Sequence, residues 1–150
     1  MQVKGKVFSG VIRGGQLIEK FQPRLEGMLH FKPYPGTLDI KLDEKILDIK
    51  PYATKSIEHI LLGGSVHRDA WLIPIILYAE KNGEKRSLPC WAIHFEQNIY
   101  KLDVLEIIAE QNLRETLHLE DGDDVTIEFT GIPEKPSARS KIKLVPRKKA

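Results

Sequence analysis

The sequence predicts a mostly β domain, closed into a barrel with short helices and a pseudo-twofold internal repeat, on three observations. Segments such as Leu38-Asp39-Ile40-Lys41-Leu42 and Val125 to Thr130 alternate apolar and polar residues at the strand period of two. Trp71 to Glu80 and Lys85 to Phe95 flank Lys81-Asn82-Gly83-Glu84, whose Asn-Gly pair tolerates the positive φ of a tight hairpin. Leu25-x-x-x-Leu29-His30-Phe31, a glycine turn and an alternating strand are echoed by Leu113-x-x-x-Leu117-His118-Leu119, a turn at Gly122 and another alternating strand. Two copies of one helix-turn-strand unit suggest closure about a pseudo-twofold, with the connections cradling whatever binds.

In chain order, Lys4 to Val11 reads as the first strand, and Gly10 to Gly15 as a glycine-bearing loop leaving it. Pro23 opens a short helix with Leu25, Met28 and Leu29 on one face. The rigid turn Phe31-Lys32-Pro33-Tyr34-Pro35-Gly36 then delivers the chain into the strand that begins at Thr37. Ile57 to Leu62 is a short strand, the hairpin follows, and Leu102 to Ala109 is a further strand. Asn112 to His118 reads as a helix, after which Glu120-Asp121-Gly122-Asp123 turns into Val125 to Thr130. Lys141 to Val145 alternates well enough for one more short strand.

A chain of 150 residues with 41% hydrophobic and 29% charged content is long enough for one proper core. The barrel domain is assigned to residues 1–132 and a basic, mobile tail to 133–150. Beyond Pro133 seven basic residues face Glu134 alone, a net +6, which leaves 16 basic and 20 acidic residues, a net −4, in the body. An acidic body is the wrong balance for a nucleic-acid-binding surface. Cys90 is the single cysteine, so an intrachain disulfide and a cysteine-based zinc cluster are excluded, as befits a reducing cytoplasm. The longest apolar run, Ala70 to Ala79, is broken by Pro74 and too short for a membrane span. A monomer is expected.

The P-loop, the dinucleotide fingerprint, His-Glu-x-x-His and Gly-x-Ser-x-Gly are all missing, and Gly63-Gly64-Ser65-Val66-His67 reads as a turn. His30 and His118 fall at helix ends and read as structural. What remains suits phosphate chemistry. Thr37 and Asp39 are two apart in a strand, so a hydroxyl and a carboxylate share one face, a pair suited to Mg²⁺. A polar outer face on an ordinary amphipathic strand has the same pattern. The loop Gly10-Val11-Ile12-Arg13-Gly14-Gly15 can turn backbone N–H groups toward an anion, or simply form a β-turn. Arg114, in Gln111-Asn112-Leu113-Arg114, can reach a phosphate or a base edge, or pair on the surface with Glu110 or Glu115. Glu106 lies inside the apolar run Val104 to Ile108, where a carboxylate is costly unless it lines a pocket or faces water.

At these residues the sequence resembles the archaeal-type CTP-dependent riboflavin kinases. The resemblance rests on Gly5-Lys6-Val7-Phe8-Ser9-Gly10, on Phe31-x-Pro33-Tyr34-Pro35-Gly36-Thr37-Leu38-Asp39-Ile40-Lys41-Leu42, and on Asp103 to Ala109 running into Asn112-Leu113-Arg114-Glu115, Leu119 and Asp121-Gly122-Asp123. It implies a six-stranded cradle-loop (RIFT-type) barrel that transfers the γ-phosphoryl group of CTP to the 5′-hydroxyl of riboflavin, giving FMN. It further implies that Gly10, Val11, Ile12, Arg13, Gly14 and Gly15, with Gln111, Asn112, Leu113 and Arg114, bind the nucleotide. Thr37 and Asp39 would hold Mg²⁺, and Asn98 and Glu106 would contact the flavin. Glu106 is the candidate for orienting the attacking hydroxyl or accepting its proton. Three positions depart from the family pattern: Ile12 stands at a usual glycine, Asp39 at a usual asparagine and Asn98 at a usual threonine. Two other readings use the same residues. One is a nucleotide- or flavin-binding barrel without turnover; the other is a DNA-binding regulator, since Leu113-Arg114-x-x-Leu117-x-Leu119-x-x-Gly122-Asp123-x-Val125 also resembles AbrB-type domains.

Overall fold

A computed structural model describes residues 1–9, 22–44, 49–63, 66–95 and 103–131. Seven strands are present among them: β1 (Gln2–Phe8), β2 (Leu38–Leu42), β3 (Lys55–Gly63), β4 (Val66–Lys81), β5 (Glu84–Phe95), β6 (Val104–Ile108) and β7 (Asp124–Phe129). Helix α1 (Gln22–Leu29) precedes β2, and the single-turn helix α2 (Leu113–Thr116) precedes β7. The strands are antiparallel in the order β3-β4-β5-β6-β2-β1-β7, and a further β4–β7 pairing joins the sheet to itself. Six strands thus form a closed ring, with β3 added beside β4. No helix among the described residues is long and apolar enough to cross a membrane. The tail, with the short strand expected at Lys141 to Val145, lies outside the described residues.

Closure works because β4 is long enough to serve two partners on one edge. Its first half pairs with β3, from Gly63↔Val66 to Lys55↔Leu72, and its second half with β7, from Ile75↔Phe129 to Ala79↔Val125. Pro74 sits at the handover. Its carbonyl accepts bonds from the backbone N and Oγ1 of Thr130. The N and the carbonyl of a strand residue point the same way, so the donor that proline lacks would have faced this seam and not the β5 ladder.

The hairpin forms as its sequence demands. Asn82 and Gly83 adopt φ of 55° and 81°, the two successive left-handed residues of a type I′ turn. The register then runs unbroken from Lys81↔Glu84 to Ala70↔Phe95.

Inside the ring, Val7, Leu38, Ile40, Leu42, Ile75, Leu77, Ala92, Leu105, Ile107, Val125 and Ile127 pack as one core, closed at one end by Leu113, Leu117 and Leu119. A second apolar cluster lies on the outer face, where Leu25 and Leu29 of α1 cover Ile57, Ala70, Leu72, Ile93 and Ile108. Both helices end on a histidine in the left-handed region, His30 with φ 64° and His118 with φ 57°. The His30 amide donates to the Glu26 carbonyl, and the Leu119 amide to that of Arg114, two standard ways of closing a helix. The histidines of the internal echo are therefore chain-reversal residues. The repeat holds for the backbone, since the strand after each helix pairs with β1, but not for packing: α1 covers the outside and α2 plugs an end. The second helix is also shorter than its pattern suggested, because the left-handed turn at His118 ends it after one turn.

Cys90 lies in the barrel interior, and burial pushes its thiol up to about 12. A thiol reagent at pH 8 is therefore expected to leave the native protein unlabelled and to label one site per chain in denaturant. Equal labelling rates in the two conditions would contradict this placement.

Candidate functional site

The double-proline turn is held from both sides. The Tyr34 amide donates to the Ala109 carbonyl at the end of β6, 2.8 Å away, and Gln22 Nε2 donates to the Pro33 carbonyl at 3.2 Å. Inside the turn the Gly36 amide bonds back to the Tyr34 carbonyl at 2.7 Å. Because both prolines fix φ, the chain enters β2 in one direction, and the face on which Thr37 and Asp39 emerge is set before the strand begins. Leu38, Ile40 and Leu42 take the core side. Thr37 Oγ1 donates to Asp39 Oδ1 at 3.3 Å, so the two oxygens expected side by side are in contact.

Asp39 is only 6% exposed although it lies on the outer face of the barrel. Register places it directly opposite Glu106 of β6 and, on its other side, opposite Phe8 of β1. Glu106, 3% exposed, stands in turn opposite Ile93. Two carboxylates facing each other across neighbouring strands repel, and burial strengthens the repulsion. These are the only buried charged side chains among the described residues. Thr37 and Asp39 offer oxygen donors of the kind a hard cation takes, although no group of three or more His, Cys, Asp or Glu side chains able to hold a metal is present among the described residues.

Asn112 caps α2 by accepting the Glu115 amide on its Oδ1 at 3.3 Å, and its Nδ2 donates to the Tyr34 hydroxyl at 3.0 Å. One side chain therefore shapes the helix and fastens it to the proline turn. The result is a cavity of about 180 Å³ lined by Tyr34, Gly36, Thr37, Leu38, Ala109, Gln111, Asn112, Leu113 and Arg114. Thr37 and the Gln111–Arg114 stretch, remote in sequence, thus face a single space.

Arg114 pairs with neither Glu110 nor Glu115. Its Nη2 donates to Asp121 Oδ1 at 2.7 Å and to the Phe8 carbonyl at 3.4 Å. The Arg114 hydrogen bond, followed by the one from Ser9, holds the Asp121 carboxyl below its ordinary range. Asp123 is likewise lowered, first by the Glu120 amide and then by Lys81. Lys81 reaches Asp123 Oδ2 at 3.0 Å and ties the β4–β5 hairpin to the same turn.

Of the residues expected at the site, Thr37, Asp39, Glu106, Gln111, Asn112, Leu113 and Arg114 are placed as described. Leu113 lines the cavity with its side chain buried in the core. Gly10, Val11, Ile12, Arg13, Gly14, Gly15 and Asn98 lie outside the described residues. Sequence reading gave no role to Tyr34 or Asp121. Their signal lay in the Pro-Tyr-Pro and Asp-Gly-Asp turns, whose geometry was legible while their long-range partners were not.

The sequence is similar to those of known proteins. A family model for CTP-dependent riboflavin kinases, described as a domain of unknown function (DUF120), matches residues 7–129. A protein of Thermococcus kodakarensis named riboflavin kinase is 32% identical over 131 residues, covering 84% of this chain and 57% of that protein. A riboflavin kinase of Methanosphaera stadtmanae is 30% identical over 131 residues, covering 86% of this chain and 98% of that protein. One of Pyrobaculum islandicum is 34% identical over 131 residues, covering 86% of this chain and 60% of that protein. The chain thus spans about three-fifths of the Thermococcus and Pyrobaculum relatives and nearly all of the Methanosphaera one.

Proposed function

The chain belongs to the CTP-dependent riboflavin kinase family, and from that premise we propose that it transfers the γ-phosphoryl group of a nucleoside triphosphate, CTP first among them, to the 5′-hydroxyl of riboflavin. The products are FMN and CDP. The observation that carries this reading is the convergence of Thr37 with Gln111, Asn112 and Arg114 on one cavity, with Thr37 bonded to the buried Asp39, which stands opposite the buried Glu106.

The chemistry asks for alignment and charge neutralisation. The riboflavin hydroxyl oxygen attacks the γ-phosphorus as the bond to the β,γ-bridging oxygen breaks, and the proton leaves with Glu106 as acceptor. Arg114 presents a planar fork to the phosphates, and the Asn112–Tyr34 bond keeps that end of the cavity in place. Thr37 and Asp39 would hold Mg²⁺, which when bound supplies neutralisation of the phosphate charge. Glu106 and Asn98 contact the flavin in this reading, and the Gly10–Gly15 loop contacts the nucleotide.

Incubation of the purified chain with riboflavin, Mg²⁺ and each of the four common nucleoside triphosphates is expected to yield FMN, most rapidly with CTP. Failure of every donor would reject catalysis. Tight binding of CTP or riboflavin without product would select the binding barrel instead, a reading favoured by Ile12 and Asn98. Salt-sensitive binding to duplex DNA, with no turnover, would revive the regulator.

A further inference from the structure

Building on the kinase reading, we propose that Asp121 is a positioning residue of the nucleotide site, a clamp that fixes the Arg114 guanidinium at the rim of the cavity it shares with Thr37 and Asn112. Each carboxylate oxygen has its own partner: Oδ1 accepts from Arg114 at 2.7 Å and Oδ2 from Ser9 Oγ at 2.8 Å. With both oxygens engaged on opposite sides, the carboxylate has one orientation. The turn beneath it is equally fixed. The Gly122 amide donates to the Val7 carbonyl at 2.7 Å, and the Val7 amide to the Asp123 carbonyl at 3.0 Å, so residues 121–123 are stitched to the end of β1. Gly122 makes this possible at φ 91°, a conformation that side chains resist.

An arginine this exposed would otherwise spread over many rotamers, and ordering it would weigh against ligand binding. Among the described residues, Asp121 and the Phe8 carbonyl occupy only Nη2, leaving the donors on Nη1 and Nε for an anion. A carboxylate that instead competed with phosphate for the guanidinium would act in the opposite direction. The two roles predict opposite results.

The test is calorimetric binding of CTP with Mg²⁺ to the full chain and to Asp121→Ala, Asp121→Glu, Arg114→Ala and the Asp121→Ala/Arg114→Ala double variant. A clamp predicts about tenfold weaker CTP binding for Asp121→Ala, partial recovery in Asp121→Glu, and no further loss in the double variant beyond Arg114→Ala. Riboflavin affinity stays unchanged, and in turnover the KM for CTP rises by more than kcat falls. Ser9→Ala, which frees one carboxylate oxygen and leaves Arg114 its partner, gives a smaller change in the same direction and serves if Asp121→Ala folds poorly. Unchanged or tighter CTP binding by Asp121→Ala, or full additivity in the double variant, overturns the clamp while the kinase reading stands. A parent chain that binds no CTP overturns both.

Discussion

Asp39→Lys is expected to reduce Mg²⁺-dependent FMN formation by about a thousandfold and to leave the protein folded. The size follows from the site's chemistry. Losing a metal held against a transferring phosphate removes several kcal/mol of transition-state stabilisation, and each 1.36 kcal/mol, roughly, is tenfold in rate. A lysine at this position also places an ammonium where the cation should sit, beside the Thr37 hydroxyl. The fold is expected to survive because the new charge faces Glu106 across the β2–β6 ladder. Three measurements check this: FMN formation, Mn²⁺ binding and thermal unfolding. Asp39→Asn, which keeps one oxygen ligand and removes the charge, should fall between the parent and the lysine variant in both metal affinity and rate. Parental activity in Asp39→Lys would reject Asp39 as a metal ligand.

The largest effect on stability is expected at Gly5, remote from any chemistry. It pairs with Leu42 on one side and Val125 on the other, at the point where β1 is held between the two strands of the internal repeat. A Cβ there would lie 2.5 Å from the Lys41 carbonyl oxygen and 2.8 Å from Ile40 Cγ2, with the Leu42 Cα at 3.1 Å. Two of those three atoms are backbone, so relief requires β1 and β2 to move apart, and a closed ring resists that. Gly5→Ala is expected to destabilise by about 3 kcal/mol and to lower the melting temperature by about 10 °C. Gly27→Ala is the contrasting control. That glycine is inside α1 with nothing within 4 Å of its would-be Cβ, and alanine there should be neutral or stabilising by about 0.5–1 kcal/mol. Equal melting temperatures for Gly5→Ala and the parent would show that the strands are not packed this closely.

Much of the fold was legible in local pattern. The hairpin announced itself through Asn82-Gly83, and the core faces of β2 and β7 through their alternation. The echo of Leu25–His30 in Leu113–His118 pointed to a repeated backbone unit, and both histidines do reverse the chain. The echo could not show that one helix would cover the barrel and the other plug it, since that depends on what each apolar face meets after closure. Arg114 teaches the same lesson at the site. Its neighbours in sequence, Glu110 and Glu115, were the natural partners to expect, whereas its actual partner arrives on the turn before β7.

By itself the sequence determined the strand period, the turn chemistry and the residue types available at the site: the Thr37–Asp39 pair on one face, the carboxylate of Glu106 in an apolar run, and the cation of Arg114. Those are local properties, set by φ restrictions and by alternation within a few residues. Only the tertiary structure decided that Asp39 stands opposite Glu106, that Thr37 and Asn112 share a cavity, and that Asp121 holds Arg114. Each of these joins separate elements through the register of a sheet that closes on itself. Register is fixed by the joint burial of all six strands and leaves no mark in any one of them.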